Sequence, residues 1–155
     1  MKTFAELVRD LQPAVQEVFP WDIEERINAG DVPLILDVRE DSEYAAMHIA
    51  GSLNVPRGIL ESACEYDYEE TVKELAEARD RDIVVVCRSG NRSVLAAHTM
   101  QLMGYTRVSS MKTGLRGWND YELQLVNSAE QTVSVEEADE FFTTRLRPDQ
   151  ESPKK

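Results

Sequence analysis

A short apolar run in the middle of the chain ends at a cysteine and is followed at once by a helical pattern. The run is Asp82–Val86, and the helical periodicity begins near Val94. Continuous apolarity over so few residues is typical of a strand in a parallel sheet that is covered on both faces. The sequence therefore predicts that a central strand is followed by a helix here, at the carboxyl end of the strands, where open α/β sheets bind ligands.

The segment between strand and helix consists of Cys87, Arg88, Ser89, Gly90, Asn91, Arg92 and Ser93. If this loop curls around the sulfur, its N–H groups and the helix N-terminus all point at one spot and stabilise an anion there. Arg88 and Arg92 add positive charge to that spot in a chain whose formal net charge is −12. Cys87 is therefore predicted to be a catalytic thiolate and the rest of the loop to bind the substrate. An inert buried cysteine at a strand end is the alternative interpretation.

Length and composition narrow the class of protein further. With 155 residues, of which 42% are hydrophobic and 30% charged, the chain suits a single globular domain. Its 17 basic and 29 acidic residues argue against nucleic acid or an anionic membrane as a partner. No long apolar run and no signal-like N-terminus is visible in the sequence, so we expect a cytoplasmic protein.

The two cysteines, Cys64 and Cys87, lie in no Cys/His cluster with metal-ligand spacing, so we expect no metal and no cofactor. Cys64 lies among Glu61, Glu65 and Asp67. Acidic surroundings of this kind are expected to raise the pKa of the Cys64 thiol and to lower its reactivity.

Strand and helix patterns alternate along the chain, which predicts an α/β fold with a central parallel sheet flanked by helices. The predicted strands are 34–38, 52–55, 83–86 and 107–111. The predicted helices are 4–18 with a break at Pro13, 23–29 capped by Asp22, 42–47, 71–79, 94–103, and one from a capping box at Ser134 and Glu137 through about Leu146. The polar tail 147–155 is expected to be disordered.

Segments of the chain, in order, resemble the signatures of a single-domain rhodanese. They are residues 36–40 (LDVRE), 48–56 (HIAGSLNVP), 87–93 (CRSGNRS) and 114–118 (GLRGW). The resemblance implies the rhodanese α/β sandwich over residues 21–125, a cysteine that accepts sulfane sulfur as a persulfide, and donors such as thiosulfate. It leaves residues 1–20 as an N-terminal helical extension and residues 126–155 as a C-terminal helix and polar tail.

The length of the loop distinguishes two chemistries that the resemblance allows. The related phosphatases and arsenate reductases are similar in fold but have five residues between the cysteine and the arginine. In this chain four residues separate Cys87 from Arg92. A tighter ring suits one extra sulfur atom better than a phosphate. One arginine is expected to clamp the donor and the other to pair with a carboxylate, although the sequence does not say which does which.

The sequence therefore predicts a thiosulfate sulfurtransferase of the rhodanese type. It would move sulfane sulfur from thiosulfate or a persulfide to a thiol or cyanide acceptor through covalent, two-step catalysis at Cys87. A persulfide carrier that delivers sulfur to a partner protein, a non-catalytic binding module, and a cysteine-dependent phosphatase or arsenate reductase are the alternatives. No nucleic acid or membrane partner is expected.

Overall fold

A five-stranded parallel sheet is the central layer of the computed structural model, which describes residues 1–153. Residues 154 and 155 of the predicted polar tail lie outside the described residues. In chain order the strands are β1 Gln16–Val18, β2 Leu34–Asp37, β3 Leu53–Asn54, β4 Asp82–Val86 and β5 Arg107–Met111. Their order across the sheet is β1-β5-β4-β2-β3, and each neighbouring pair is parallel. The predicted α/β class is confirmed, with β4 at the centre of the sheet.

Helices cover both faces of the sheet. They are α1 Phe4–Leu11, α2 Pro20–Asn28, α3 Asp41–Ala46, α4 Leu60–Ala63, α5 Lys73–Ala76, α6 Arg92–Leu102, α7 Gly114–Asp120 and α8 Val135–Phe142, with single 3₁₀ turns at Gln12–Ala14, Arg57–Ile59 and Pro148–Gln150. Side chains alternate along β4, so that Val85 packs with α6 residues in one hydrophobic cluster while Val84 and Val86 pack with α7 residues in another. A strand buried on both faces explains its unbroken apolar sequence.

The N-terminal segment differs from the helical run over 4–18, broken at Pro13, that its periodicity predicts, because a strand follows the break. Helix α1 ends at Leu11, and the chain is extended again at Val15, where it enters β1. β1 pairs with β5 as an edge strand, so backbone hydrogen bonds to the sheet replace the helical continuation after Pro13. Val8 and Val15 are buried in the core, whereas Phe4 keeps 52% of its surface exposed.

Several helix boundaries also differ from the predicted ones. α2 begins at Pro20, because proline suits the first turn of a helix. Asp22 therefore lies inside the helix, where its carboxylate accepts a hydrogen bond from the N–H of Phe19 at 2.9 Å. Only Lys73–Ala76 of the predicted helix 71–79 is α-helical. α8 stops at Phe142, short of Leu146. The polar tail, predicted to be disordered, contains the 3₁₀ turn Pro148–Gln150.

None of the helices within residues 1–153 is long and apolar enough to cross a membrane. The longest, α6, has 11 residues, against about 20 needed to span the hydrocarbon core.

Candidate functional site

Cys87 directly follows the central strand β4 and is 1% exposed. Two backbone N–H groups of the following loop donate to its sulfur, from Gly90 at 3.2 Å and from Ser93 at 3.3 Å. N–H groups that converge in this way form a nest, which stabilises negative charge on the atom they face. The loop thus encloses the sulfur with donors, as a bound anion or thiolate requires.

The connection from β5 to α7 holds the loop from outside. The N–H of Leu115 donates to the carbonyl of Cys87 at 2.8 Å, and the N–H of Arg116 donates to the carbonyl of Arg88 at 2.9 Å. Gly114 makes this approach possible, since a Cβ there would lie 2.5 Å from the carbonyl group of Arg88. Gly90 turns the loop with a φ of +91°, a conformation that favours glycine.

One buried hydroxyl group contacts the sulfur and is itself hydrogen-bonded to a second buried hydroxyl group. The Sγ of Cys87 lies 3.4 Å from the Oγ of Ser93, which in turn lies 2.7 Å from the Oγ of Ser110 on β5. Both serines are fully buried. When the sulfur is ionised, Ser93 can donate to it while accepting from Ser110. Sequence reasoning missed Ser110, because nothing but its place on the neighbouring strand brings it to the site.

Arg92, the first residue of α6, pairs with a carboxylate from a distant part of the sequence. Its guanidinium donates to both carboxylate oxygens of Glu43 on α3, at 2.9 and 3.1 Å. These hydrogen bonds raise the pKa of Arg92, and the proximity of Cys87 adds to the effect. Burial alone would raise the pKa of the Glu43 carboxyl, but the bonds from Arg92 outweigh it and hold that pKa below its usual value. Glu43 could not be identified from the sequence, because it lies 49 positions from Arg92 in the chain.

Arg88 connects the loop to the C-terminal helix. Its guanidinium donates to the carbonyl of Phe142, the last residue of α8, at 2.7 Å and to the Oγ of Thr144 at 3.5 Å. A cation at the carboxyl end of a helix is electrostatically favourable. The sequence analysis predicts that Arg88 binds the substrate. Within residues 1–153, however, the side chain of Arg88 donates its hydrogen bonds to this end of α8.

Ser89 and Asn91 lie at the outer edge of the loop, with their side chains exposed to solvent. Gly90 between them is buried. The loop therefore presents backbone donors inward, from Gly90 and Ser93, and polar side chains outward.

A buried ion pair lies at the carboxyl end of β2. Arg39 and Asp37 are both fully buried, and two nitrogens of the Arg39 guanidinium donate to the Asp37 carboxylate at 2.9 to 3.2 Å. Arg39 also donates to the carbonyl of Met47 at 2.7 Å. Arg39 makes a minor contribution to the lowered pKa of Glu43, after the hydrogen bonds from Arg92, and Asp37 makes a minor contribution to the raised pKa of Arg92.

The second cysteine lies in a different environment. Cys64 is fully buried, and burial is the main reason that the pKa of its thiol is raised. Glu61 and Glu65 contribute less than burial does. The predicted direction is confirmed, with desolvation rather than the acidic neighbours as the leading cause. In the described part of the chain, no group of His, Cys, Asp or Glu side chains is arranged to hold a metal ion.

Comparison with known protein families gives one match of high coverage. The family described as a rhodanese-like domain matches residues 20–121. The matched range contains the whole loop around Cys87 together with Glu43 and Ser110. It contains neither α1 nor α8.

Curated relatives of the chain have names that refer to sulfur transfer. A Bacillus subtilis protein with the provisional name of sulfur carrier is 31% identical over 105 residues, which cover 68% of this chain and 51% of the relative. A mitochondrial protein of Schizosaccharomyces pombe, provisionally named a thiosulfate sulfurtransferase, is 30% identical over 115 residues, 68% of this chain and 81% of that protein. A sulfurtransferase of Allochromatium vinosum is 27% identical over 112 residues, 72% of this chain and 95% of that protein. The chain thus spans about half of the Bacillus protein and most of the other two.

Solved structures share the fold. A protein of unknown function from Rhodopseudomonas palustris, described as a possible tyrosine phosphatase, has a TM-score of 0.71 at 25% identity and is matched over 79% of this chain and 92% of its own. A thiosulfate sulfurtransferase from Pseudomonas aeruginosa has a TM-score of 0.65 at 24% identity, over 84% of this chain and 24% of its own. At 24% identity, the similarity to the Pseudomonas aeruginosa structure shows a shared fold alone.

Proposed function

The chain belongs to the rhodanese-like family, and from this premise we propose that it is a sulfurtransferase that carries sulfane sulfur as a persulfide on Cys87. Relatives named as sulfurtransferases and as a sulfur carrier support sulfur transfer as the general activity. The observation that carries the proposal is the pair of N–H groups, from Gly90 and Ser93, directed at the Cys87 sulfur at the end of the central strand.

In the first half-reaction the Cys87 thiolate attacks the outer sulfur of thiosulfate. A bond forms between Sγ and that sulfur, the sulfur–sulfur bond of thiosulfate breaks, and its electron pair leaves with sulfite. Sulfite is a stable anion, so the step requires no general acid. The product is an anionic persulfide, and the N–H groups of Gly90 and Ser93 are suited to stabilise its negative charge.

In the second half-reaction a thiol or cyanide attacks the outer sulfur of the persulfide. The Cys87 sulfur retains the electron pair of the broken bond and becomes a thiolate again. A thiol acceptor carries its proton into the new persulfide, and cyanide becomes thiocyanate. Because the enzyme alternates between two covalent forms, the kinetics should be ping-pong.

The charged side chains around the loop support this chemistry by fixing the loop's geometry. Arg92, held by both carboxylate oxygens of Glu43, fixes the junction between the loop and α6. Arg88 holds the loop to α8. We propose that the loop amides bind the transferred sulfur while Arg92 and Arg88 hold the loop in place.

A cysteine-dependent phosphatase is the second candidate, because the Rhodopseudomonas palustris structure is described as a possible tyrosine phosphatase. The length of the loop favours sulfur transfer, since only four residues separate Cys87 from Arg92. The Glu43 carboxylate also occupies the Arg92 guanidinium, which reduces the donors available to a phosphate.

Mass spectrometry of the intact protein tests the proposal. After incubation with thiosulfate and removal of excess donor, the protein should gain the mass of one sulfur atom, and cyanide should remove it. The adduct should map to the peptide that contains Cys87. Cys87→Ser should lose both the adduct and turnover.

Cys64→Ser is the matched control, since Cys64 is the other cysteine of the chain and its buried thiol has a raised pKa. This variant should keep both the adduct and turnover. An adduct on Cys64, or hydrolysis of an aryl phosphate at a rate comparable to sulfur transfer, would refute the assignment.

A further inference from the structure

An open cleft of about 440 Å³ adjoins the loop around Cys87 on its outer side. Ser89 of that loop forms one wall, and α7 together with the start of α2 forms the rest; the lining residues are Trp21, Ser89, Thr113, Arg116, Gly117, Asp120 and Tyr121. The sulfur of Cys87 is buried, whereas the cleft beside its loop is open to solvent.

Two aromatic side chains, Trp21 and Tyr121, form the apolar side of the cleft. The ring of Phe19 lies parallel to that of Trp21 with centroids 4.5 Å apart, and Tyr121 lies 5.4 Å from Trp21 at 50°. Trp21 and Tyr121 nevertheless keep 44% and 52% of their surface exposed. Rigid, exposed Trp and Tyr side chains lose little entropy on binding and are enriched at the centres of protein interfaces.

Two cations without a salt-bridge partner among residues 1–153 lie near these rings. Lys112 sits over the ring of Phe19, with its ammonium 5.6 Å from the centroid, and Arg116 lines the cleft itself. Neither side chain forms a salt bridge with any group of residues 1–153, although the chain has a net charge of −12. Asp120 is the one carboxylate among these lining residues.

We infer that this cleft binds the sulfur acceptor, and that the acceptor is a protein segment in which a cysteine is flanked by an apolar side chain and by carboxylates. The apolar side chain would pack on Trp21 and Tyr121, and the carboxylates would pair with Arg116 and Lys112. A combination of Trp, Tyr and Arg is typical of protein-binding hot spots. The inference rests on the proposed sulfurtransferase function and assigns the partner class for it.

Transfer to such a segment balances without any oxidant or reductant. The sulfur of the partner's cysteine attacks the outer sulfur of the Cys87 persulfide anion. The sulfur–sulfur bond at Cys87 breaks, and its electron pair stays on Sγ, where the N–H groups of Gly90 and Ser93 receive the charge. The proton of the attacking thiol ends on the transferred sulfur, so the partner leaves as a protein persulfide.

Short synthetic peptides serve as probes of the cleft. In the acidic peptide a cysteine is followed by a leucine and a run of glutamates; in the basic peptide lysines replace the glutamates. Sulfur transfer from the persulfide form is compared with transfer to mercaptoethanol, a small neutral thiol. We expect the acidic peptide to react with the larger kcat/KM, and the preference to weaken as salt screens the charges.

Variants of the cleft should lose that preference. In Trp21→Ala and in Arg116→Ala the ratio of kcat/KM for the acidic peptide to that for mercaptoethanol should fall about tenfold, as for an interface residue worth about 1.4 kcal/mol. Tyr68→Ala should keep the ratio, since Tyr68 is also an exposed aromatic residue, at 57%, and does not line the cleft.

Calorimetric titration with a serine analogue of the acidic peptide measures binding independently of chemistry. Binding by the wild-type protein that is weakened in Trp21→Ala supports the cleft even if no persulfide forms, an outcome that would refute only the proposed function. Equal binding of acidic and basic analogues would overturn the inference. So would equal kcat/KM ratios in the wild-type protein and in both cleft variants.

Discussion

Replacing Gly114 by alanine should move the loop that holds Cys87. Gly114 opens α7 with a φ of +62° and lies directly against the loop. A Cβ at this position would be 2.5 Å from the carbonyl carbon and oxygen of Arg88 and 2.6 Å from the carbonyl oxygen of Cys87. These atoms belong to backbone that cannot turn aside, unlike the end of a side chain. The distances are well inside the 3.4 Å at which ordinary contact begins.

The expected loss of stability has two parts. A left-handed backbone conformation costs a residue with a Cβ about 1–2 kcal/mol, and forcing an extra methyl group into close-packed surroundings costs about 1–3 kcal/mol. Gly114→Ala should therefore destabilise the fold by about 2–5 kcal/mol, which lowers the Tm by about 4–20 °C in a chain of this size.

Gly30→Ala isolates the backbone part. Gly30 has a φ of +77°, and no atom lies within 4 Å of its ideal Cβ. Thermal unfolding should show a Tm lower by only about 2–8 °C in this control. Persulfide formation measured by mass should stay at the wild-type rate in Gly30→Ala, whereas in folded Gly114→Ala it should slow by up to about 10²-fold, because the loop is displaced. Equal Tm values with full loading in both variants would refute the reasoning.

Other variants probe the supports of the loop and of the sheet. Glu43→Gln should lower the free energy of unfolding by about 1–3 kcal/mol at neutral pH, because it breaks the charged hydrogen bonds to Arg92. Since the folded state lowers the pKa of Glu43, this stabilisation is present above about pH 4.5 and is lost as the pH falls below it. Deleting residues 1–18 should lower stability by about 3–6 kcal/mol, since Val8 and Val15 leave the core. Arg88→Ala should speed hydrogen exchange at the end of α8, because the bond to its last carbonyl is lost.

Each of these has a contrary outcome. A Glu43→Gln penalty that persists unchanged at acidic pH would show that the charged pair does not stabilise the fold. A truncated protein with the wild-type Tm would mean that β1 and α1 are dispensable. Arg9→Gln serves as a surface control there, because Arg9 lies on α1 and is exposed. Unchanged exchange at α8 in Arg88→Ala would show that this helix end is held by other contacts.

Four of the five strands and the position of the loop around Cys87 could be predicted because they depend on local pattern. Unbroken apolar runs predicted β2 and β4, and the cysteine after β4 indicated that the candidate site lies at the carboxyl end of the strands. β1 could not be predicted in this way. Its three residues continue the helical spacing of the segment before them, and only pairing with β5 makes them extended.

The partners of the loop could not be predicted either, since they lie far away in sequence. Arg92 meets Glu43 across 49 residues and Arg88 meets Phe142 across 54. The sequence indicated that one arginine pairs with a carboxylate, but the choice depends on how α3 packs beside α6. The partner of Arg88 is a backbone carbonyl, which every residue carries and which no sequence pattern marks.

These supports bear on where specificity resides. Elements from separate parts of the chain hold the loop: α3 through Glu43, the start of α7 through the N–H groups of Leu115 and Arg116, and α8 through Phe142. In the proposed reaction, a loop fixed from several sides has little freedom to adapt to different acceptors, and its N–H groups at the sulfur would contact only the transferred atom. Discrimination between acceptors must then come from surfaces outside the loop, and the cleft with Trp21 and Arg116 is such a surface directly beside it.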